Sequence, residues 1–175
     1  MSPLPVFKAP IQSGNFRWAE GANYTVTPDG STIISQANGS WNATAISNAP
    51  FPNSGIIEFC VQIKSTQNSH IMIGVAPPSI DRNVSGNFSQ GVGYYLYCAR
   101  GTLYSKEGVK LDSPYFSNTT IAAGDIVKTV INFDLFTIAF AVNGVDYGYA
   151  YSFPRNIDLV PVVIFYDPTD SVTKI

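Results

Sequence analysis

The feature that most constrains how this chain can fold is its punctuation. Short apolar or alternating runs follow one another, and Gly, Pro, Asn or Asp cuts each of them. That pattern belongs to β-sandwiches and barrels. Gly55-Ile56-Ile57-Glu58-Phe59-Cys60-Val61-Gln62-Ile63 is the plainest strand. A period of two puts Ile57, Phe59, Val61 and Ile63 on one face and Glu58, Cys60 and Gln62 on the other. Residues 24–27 lead into a Pro28-Asp29-Gly30 turn, and 31–35 return. Residues 41–46 alternate weakly, and 70–75 stop at Pro77-Pro78. Residues 76–92 read as a long polar loop, of a length that is often functional. Residues 93–98 and 103–105 are further strands, with Lys106-Glu107-Gly108 as a turn. Residues 126–133 and 136–142 follow, joined through Asp134-Leu135. Asn143-Gly144 then signals a tight hairpin, because both central residues of a type I′ turn need positive φ. Residues 145–151 return from it. Residues 159–166 form a last apolar run. Its Pro161 has no amide to give a ladder, which predicts an edge strand or the beginning of a strand. No window carries a helical stripe.

At 175 residues the chain suits one domain, burying roughly 70% of its unfolded surface. Residues 1–16 are Pro-rich and are expected to be irregular, and 17–175 to form the domain. Charge is sparse: 10 Lys+Arg against 12 Asp+Glu, net −2. No basic run exists, which excludes the phosphate-neutralising footprint of a nucleic-acid binder. No stretch approaches the ~20 apolar residues of a membrane-spanning helix. Residues 1–6 lack the regions of a secretion signal. The expectation is a cytoplasmic chain that binds neither nucleic acid nor membrane. Sequons at Asn23, Asn38, Asn42, Asn83, Asn87 and Asn118 point toward the secretory path instead. The abundance of Asn, Ser and Thr in β-turns is the plainer account of them. Cys60 and Cys98 read as buried thiols, with one cross-sheet disulfide as the alternative.

Catalysis is poorly supplied. His70 is the one histidine, beside an apolar strand, and no nucleophile triad can be built without it. Glu20, Glu58 and Glu107 fall in different elements, so the paired carboxylates of glycoside hydrolysis are not at hand. There is no Gly-rich phosphate cradle. Asp167 and Asp170 could join a Ca²⁺ site, but a polar loop with a capping Asp is the simpler reading. No catalytic residue, metal or cofactor is assigned. Aromatic residues, 13% of the chain, are the resource, since Tyr and Trp make rigid contacts with a polar tip. In Tyr94-Tyr95-Leu96-Tyr97, Tyr95 is read as facing opposite to Tyr94 and Tyr97. Arg82 and Arg100 read as spare cations able to pair with an acidic peptide.

From about Tyr24 onward the ordered runs resemble the SPRY domain family. Trp41, Pro50-Phe51 and Gly55-Ile56-Ile57-Glu58-Phe59 are similar to the family's entry strands. Ile73-Gly74-Val75-Ala76, Gly91-Val92-Gly93-Tyr94 with Leu103-Tyr104, Gly124-Asp125-Ile126-Val127, Phe140-Ala141-Val142-Asn143-Gly144 and Leu159-Val160-Pro161-Val162-Val163 follow in the family's order. One departure is Asn132-Phe133-Asp134-Leu135-Phe136, where Phe136 stands at a place often held by Gly. A rebuilt turn with Phe136 in the core is expected there.

The resemblance implies an all-β, concanavalin-like sandwich of two antiparallel sheets with little or no helix, about 10 Å apart. It implies a protein- or peptide-binding adaptor module, one domain of a larger protein and monomeric in isolation, that holds its partner with loops at one rim. Carried onto this sequence, the rim is Gln36, Asn38 and Ser40; Pro77, Asp81, Arg82 and Phe88; Tyr94, Tyr97 and Arg100; and Tyr166, Asp167 and Pro168. A lectin-like, glycan-binding sandwich is the alternative reading of the same architecture.

Overall fold

In β5 (Ile56–Ser65) every second side chain is buried, and this alternation organises the larger sheet. The computed structural model describes residues 11–116 and 119–175. The readings of residues 1–10 and of the Asn118 sequon lie outside the described residues. Beside β5 run β10 (Ile126–Asn132), β11 (Thr137–Val142) and β12 (Val145–Ser152) on one side. On the other run β14 (Ser171–Lys174), β3 (Thr32–Ser35) and β2 (Tyr24–Val26). β1 (Ile11–Ser13) pairs in parallel with the first residues of β5. The second sheet has the order β4 (Ala43–Ile46), β13 (Val160–Phe165), β6 (Ile71–Ala76), β7 (Tyr94–Tyr97), β8 (Thr102–Ser105), β9 (Lys110–Pro114). Apart from β1, the pairings are antiparallel. The sandwich expected from the sequence is therefore present. One 3₁₀ turn, Asn87–Ser89, is the helical element among the described residues.

The main core lies between the sheets. Ile57, Phe59, Val61, Ile63, Val127, Ile138 and Phe140 meet Ile73, Val75, Tyr94, Leu96, Val163 and Phe165. A second, smaller core lies on the outer face of the six-stranded sheet. There Met72, Ala76, Tyr95, Val162 and Ile164 are covered by Ile80 and Phe88 of the 77–92 segment. Every residue of β6 and of β13 is buried, which is why both strands read as unbroken apolar runs.

Two turn motifs hold each other. Asn143 (φ 50°) and Gly144 (φ 80°) make the hairpin turn. The Asn143 side chain accepts from the Ile126 amide and donates to Asp125, each at 2.9 Å. At the departure from the family pattern, Asn132 Oδ1 accepts from the amides of Asp134 and Leu135. Phe136 then takes the left-handed conformation (φ 57°) that a glycine would hold without strain. Its half-buried ring packs on Phe153, with the Arg155 guanidinium over its face, so it joins the core as expected.

Some expectations change. Residues 11–13 form β1 and Phe16 is buried in the core, so the irregular segment does not extend to residue 16. Pro161 is in a central strand and not an edge strand, but it is second in β13, so the alternative of a strand's beginning holds. Its carbonyl accepts from Ser47, and its missing amide faces the same side, where the β4 ladder has ended. Cys98 is buried between the sheets, while Cys60 is half-buried on the far side of the other sheet; both are free thiols. Residues 76–92 are not merely a polar loop, because Ile80 and Phe88 are lids of the second core. β9 and β14 carried too little apolar signal to be read as strands.

Candidate functional site

The strand period selects which side chains meet at one end of the six-stranded sheet. In β6 it turns Met72 outward, and in β13 Ile164. In β7 it turns Tyr95 and Tyr97 outward together and sends Tyr94 and Leu96 inward. The expected grouping of Tyr94 with Tyr97 is therefore wrong: three residues apart, they lie on opposite faces. Tyr94 is 1% exposed inside the main core, burial raising its hydroxyl pKa, and it cannot meet a ligand.

On the outer face each strand of this sheet brings a residue to the same end. Trp41 precedes β4, Tyr166 follows β13, and His70 precedes β6. Tyr97 ends β7, Tyr104 lies in β8 opposite Tyr95, and Asp112 lies in β9. Trp41 is the hub. Its ring is 5.1 Å from Phe88, 5.7 Å from Tyr97, 5.4 Å from Tyr166 and 6.4 Å from His70. Phe88 meets Tyr104 at 5.1 Å, and Tyr97 meets Tyr104 at 6.3 Å. Trp41, Phe88, Tyr97 and Tyr104, with Met72, Arg100 and Asp112, line a cavity of about 240 Å³.

Charge frames the rings. Arg100, in the turn after β7, pairs with Asp112 Oδ2. Asp112 (φ 56°) sits beside the irregularity in the β8–β9 ladder, and its Oδ1 accepts from Thr102 at 2.9 Å. The Arg100–Asp112 pair also borders a neighbouring cavity of about 260 Å³ with Thr102 and Pro114. Outside that lining, beside Trp41, His70 Nδ1 is 3.2 Å from Asp167 Oδ2, off the line of a hydrogen bond. Burial pushes the Tyr97 hydroxyl pKa up, with Arg100 pulling it the other way. Asp170 accepts from Thr66 Oγ1 and the Gln67 amide, so it caps a turn; burial raises its pKa against those bonds.

Several expected rim residues converge here. Gly39 donates to the Tyr166 carbonyl, and Ser40 Oγ meets Ser85 Oγ at 3.0 Å, which ties residues 36–40 to the 77–92 segment beside Trp41. Gln36 and Asn38 are exposed in that first loop. Phe88, Tyr97 and Arg100 line the groove, and Tyr166 packs on Trp41 beside it; Asp167 is not in the lining and lies next to His70. Pro77 and Asp81 are not at the groove: Pro77 lies at the far end of β6, roughly 16 Å along the strand from Met72, and Asp81 caps its own turn at Asn83. Nor is Arg82 a spare cation. It donates to the carbonyls of Thr44 (3.3 Å) and Glu20 (3.0 Å) and to Tyr24 Oη, and it covers the Tyr24 ring. Asn87, within a sequon, is 2% exposed and donates to Thr44 Oγ1, so its amide serves the fold. Arg82 is the rivet of the 77–92 segment. Arg82→Ala is expected to lower stability by about 1.5–3 kcal/mol, the scale of charged hydrogen bonds. Amide exchange across residues 80–90 should quicken; an unchanged melt and exchange pattern would show that the segment is held elsewhere.

Sequence reading missed Trp41 as the centre, and with it Tyr104, Met72 and Asp112. The signal existed for Tyr104: opposite Tyr95 in an antiparallel pair, it must share Tyr95's face. Asp112 carried no such signal, because an irregular ladder aims it.

Comparison with known proteins places this architecture. Searching curated protein sequences yields no match. The SPRY domain of human HERC1 superposes with a TM-score of 0.71 at 17% identity, over 86% of this chain and 91% of that one. A human SPRY domain gives 0.66 at 18% identity, over 90% and 95%. The PSpry domain of TRIM65 gives 0.66 at 13% identity, over 93% of each chain. At these identities the likeness is one of fold. Independently, the sequence pattern of the SPRY domain matches residues 57–175, more than half of the chain. With sandwich, strand order and sequence pattern in agreement, this chain belongs to the SPRY domain family.

Proposed function

We propose that this chain is a protein- or peptide-binding adaptor module that seats its partner in the Trp41 groove. SPRY domains are generally protein-interaction modules. The observation that carries the reading to this groove is the cavity itself: a half-buried tryptophan among other rings, open to solvent, with the Arg100–Asp112 pair in its lining. Buried aromatic anchors flanked by polar groups are the chemistry of binding hot spots. The loops at residues 36–40 and 166–168 extend the contact surface beyond the rings.

A displayed peptide library selected on the domain tests this. Tyr104→Ser and Arg100→Glu are expected to weaken the selected peptides at least tenfold, whereas Lys64→Ala, on the other sheet, leaves them bound. Peptides held equally by all three variants would place the binding surface elsewhere.

A further inference from the structure

Two cavities lie along one row of the six-stranded sheet and share a wall. The ladders set Met72 opposite Tyr97, Tyr97 opposite Thr102 and Thr102 opposite Pro114. These four residues form a row across β6, β7, β8 and β9. Met72 and Tyr97 line the cavity of about 240 Å³, and Thr102 and Pro114 the one of about 260 Å³. Arg100 and Asp112 border both. Neighbouring strands are about 4.8 Å apart, so the midpoints of the two halves of the row are separated by about 10 Å. An extended strand returns a side chain to the same face every two residues, about 7 Å. A polyproline II helix does so every three residues, about 9 Å. The row matches the second spacing.

The hydrogen-bonding groups of the groove point to the same occupant. Arg100 and Asp112 are paired, so the lining carries no net charge. Both Asp112 oxygens already accept, one from Thr102 and one from Arg100. The donors are not used up. Among the described residues, Tyr97 Oη, Tyr104 Oη, Trp41 Nε1 and the other guanidinium nitrogens of Arg100 donate to no protein acceptor. Spare donors, engaged carboxylate oxygens and no net charge complement a segment that is uncharged and offers carbonyls without N–H groups. Proline has no backbone N–H, and the polyproline II helix leaves its carbonyls free of internal bonds. Such a segment lies over aromatic side chains rather than between their faces, so the edge-to-face contacts of Trp41, Phe88, Tyr97 and Tyr104 stay intact.

Resting on the reading of this groove as the binding site, we infer that it takes a proline-rich segment of the partner protein in the polyproline II conformation. Residues i and i+3 of that segment sit over the two cavities. The probe is acetyl-Pro-Leu-Pro-Pro-Leu-Pro-amide, with its leucines three apart. One control is its isomer acetyl-Pro-Leu-Pro-Leu-Pro-Pro-amide, with leucines two apart. The other is the all-D form of the probe, which has the opposite helical hand. Binding is read from the Met72 methyl and Trp41 indole NMR signals. Saturable binding of the probe is expected, roughly tenfold tighter than either control, since neither control seats both leucines. Tyr97→Phe combined with Tyr104→Phe keeps both rings and removes their hydroxyl donors. That variant should bind the probe roughly tenfold more weakly, about one hydrogen bond per hydroxyl, while its melt shows a folded domain. Equal binding of the probe and either control would make the groove an apolar slot and overturn the inference. Undiminished binding by the double variant, or no saturable binding of the probe, would overturn it too. The peptide selection described above decides separately whether the groove binds partners at all: groove-dependent peptides without proline would leave that reading standing and this inference refuted.

Discussion

Gly74→Ala is expected to be among the most damaging single-methyl changes in this chain. Gly74 lies in the middle of β6, paired with Tyr95 on one side and Val162 on the other. A Cβ there would come within 1.9 Å of the Tyr94 carbonyl oxygen and 3.0 Å of the Tyr95 Cα. The obstacle is backbone, so no rotamer change relieves it. Either the β6–β7 spacing opens, or β6 tilts away from β13. Both moves disturb the main core and the second core together. Overpacking typically costs 1–3 kcal/mol, and more where backbone must move, so a loss of about 3 kcal/mol or more is expected. For a domain of this size that lowers Tm by roughly 6–12 °C. Gly39→Ala is the control. Its backbone is left-handed (φ 79°), but an added Cβ would meet nothing within 4 Å. It should cost only the conformational strain, about 1–2 kcal/mol. If thermal melts rank the two variants the other way, close approach is not what position 74 requires of its residue.

The same position shows what the sequence could and could not disclose. Ile73-Gly74-Val75-Ala76 was readable as a strand, and its apolar continuity as burial on both faces. The covering element was not readable, because Ile80 and Phe88 are isolated apolar residues in a polar stretch. Alternation in β5 and the Asn143-Gly144 turn fixed faces and register by local chemistry alone, and both hold in the fold. β1, β9 and β14 depend on partners already in place. β1 needs the free edge at the start of β5, and β14 pairs with β3 and β5 on its two sides. For the site, the sequence suggests four segments far apart as a rim; two of them, through Phe88, Tyr97 and Arg100, line the groove, and Tyr166 of a third packs on Trp41 beside it. The errors within them have physical causes. Tyr94 and Tyr97 are three residues apart, so the period of two sends them to opposite faces; Pro77 shares a loop with Phe88, but that loop is long enough to begin at the other end of the sheet. Arg82 reads as free in the sequence because carbonyl partners such as Glu20 and Thr44 leave no mark there.

Trp41→Ala separates the two roles of the aromatic cluster. The ring touches Phe88, Tyr97, Tyr166 and His70, and so joins the 77–92 segment to three strands of the sheet. Removing a fully buried Trp costs about 3–5 kcal/mol. Trp41 is half-buried, so a loss of about 2–4 kcal/mol is expected, including the edge-to-face contacts. A domain holding 5–15 kcal/mol survives that. The variant therefore stays folded while the groove has lost its tryptophan, and binding should fall further than stability does. Trp18, 3% exposed in the main core, becomes the sole indole and reports on that core. Its fluorescence should show a cooperative melt lowered by roughly 4–16 °C. Amide exchange over residues 80–90 should rise well before that transition, because the second core loses its edge while the main core keeps its packing. Trp41→Phe restores a ring against Phe88 and Tyr97 and should recover most of the stability but only part of the binding. Were Trp41→Ala to leave both the melt and the exchange of 80–90 unchanged, the tryptophan would not be the hub, and the groove would be only a surface beside the fold rather than a site built into it.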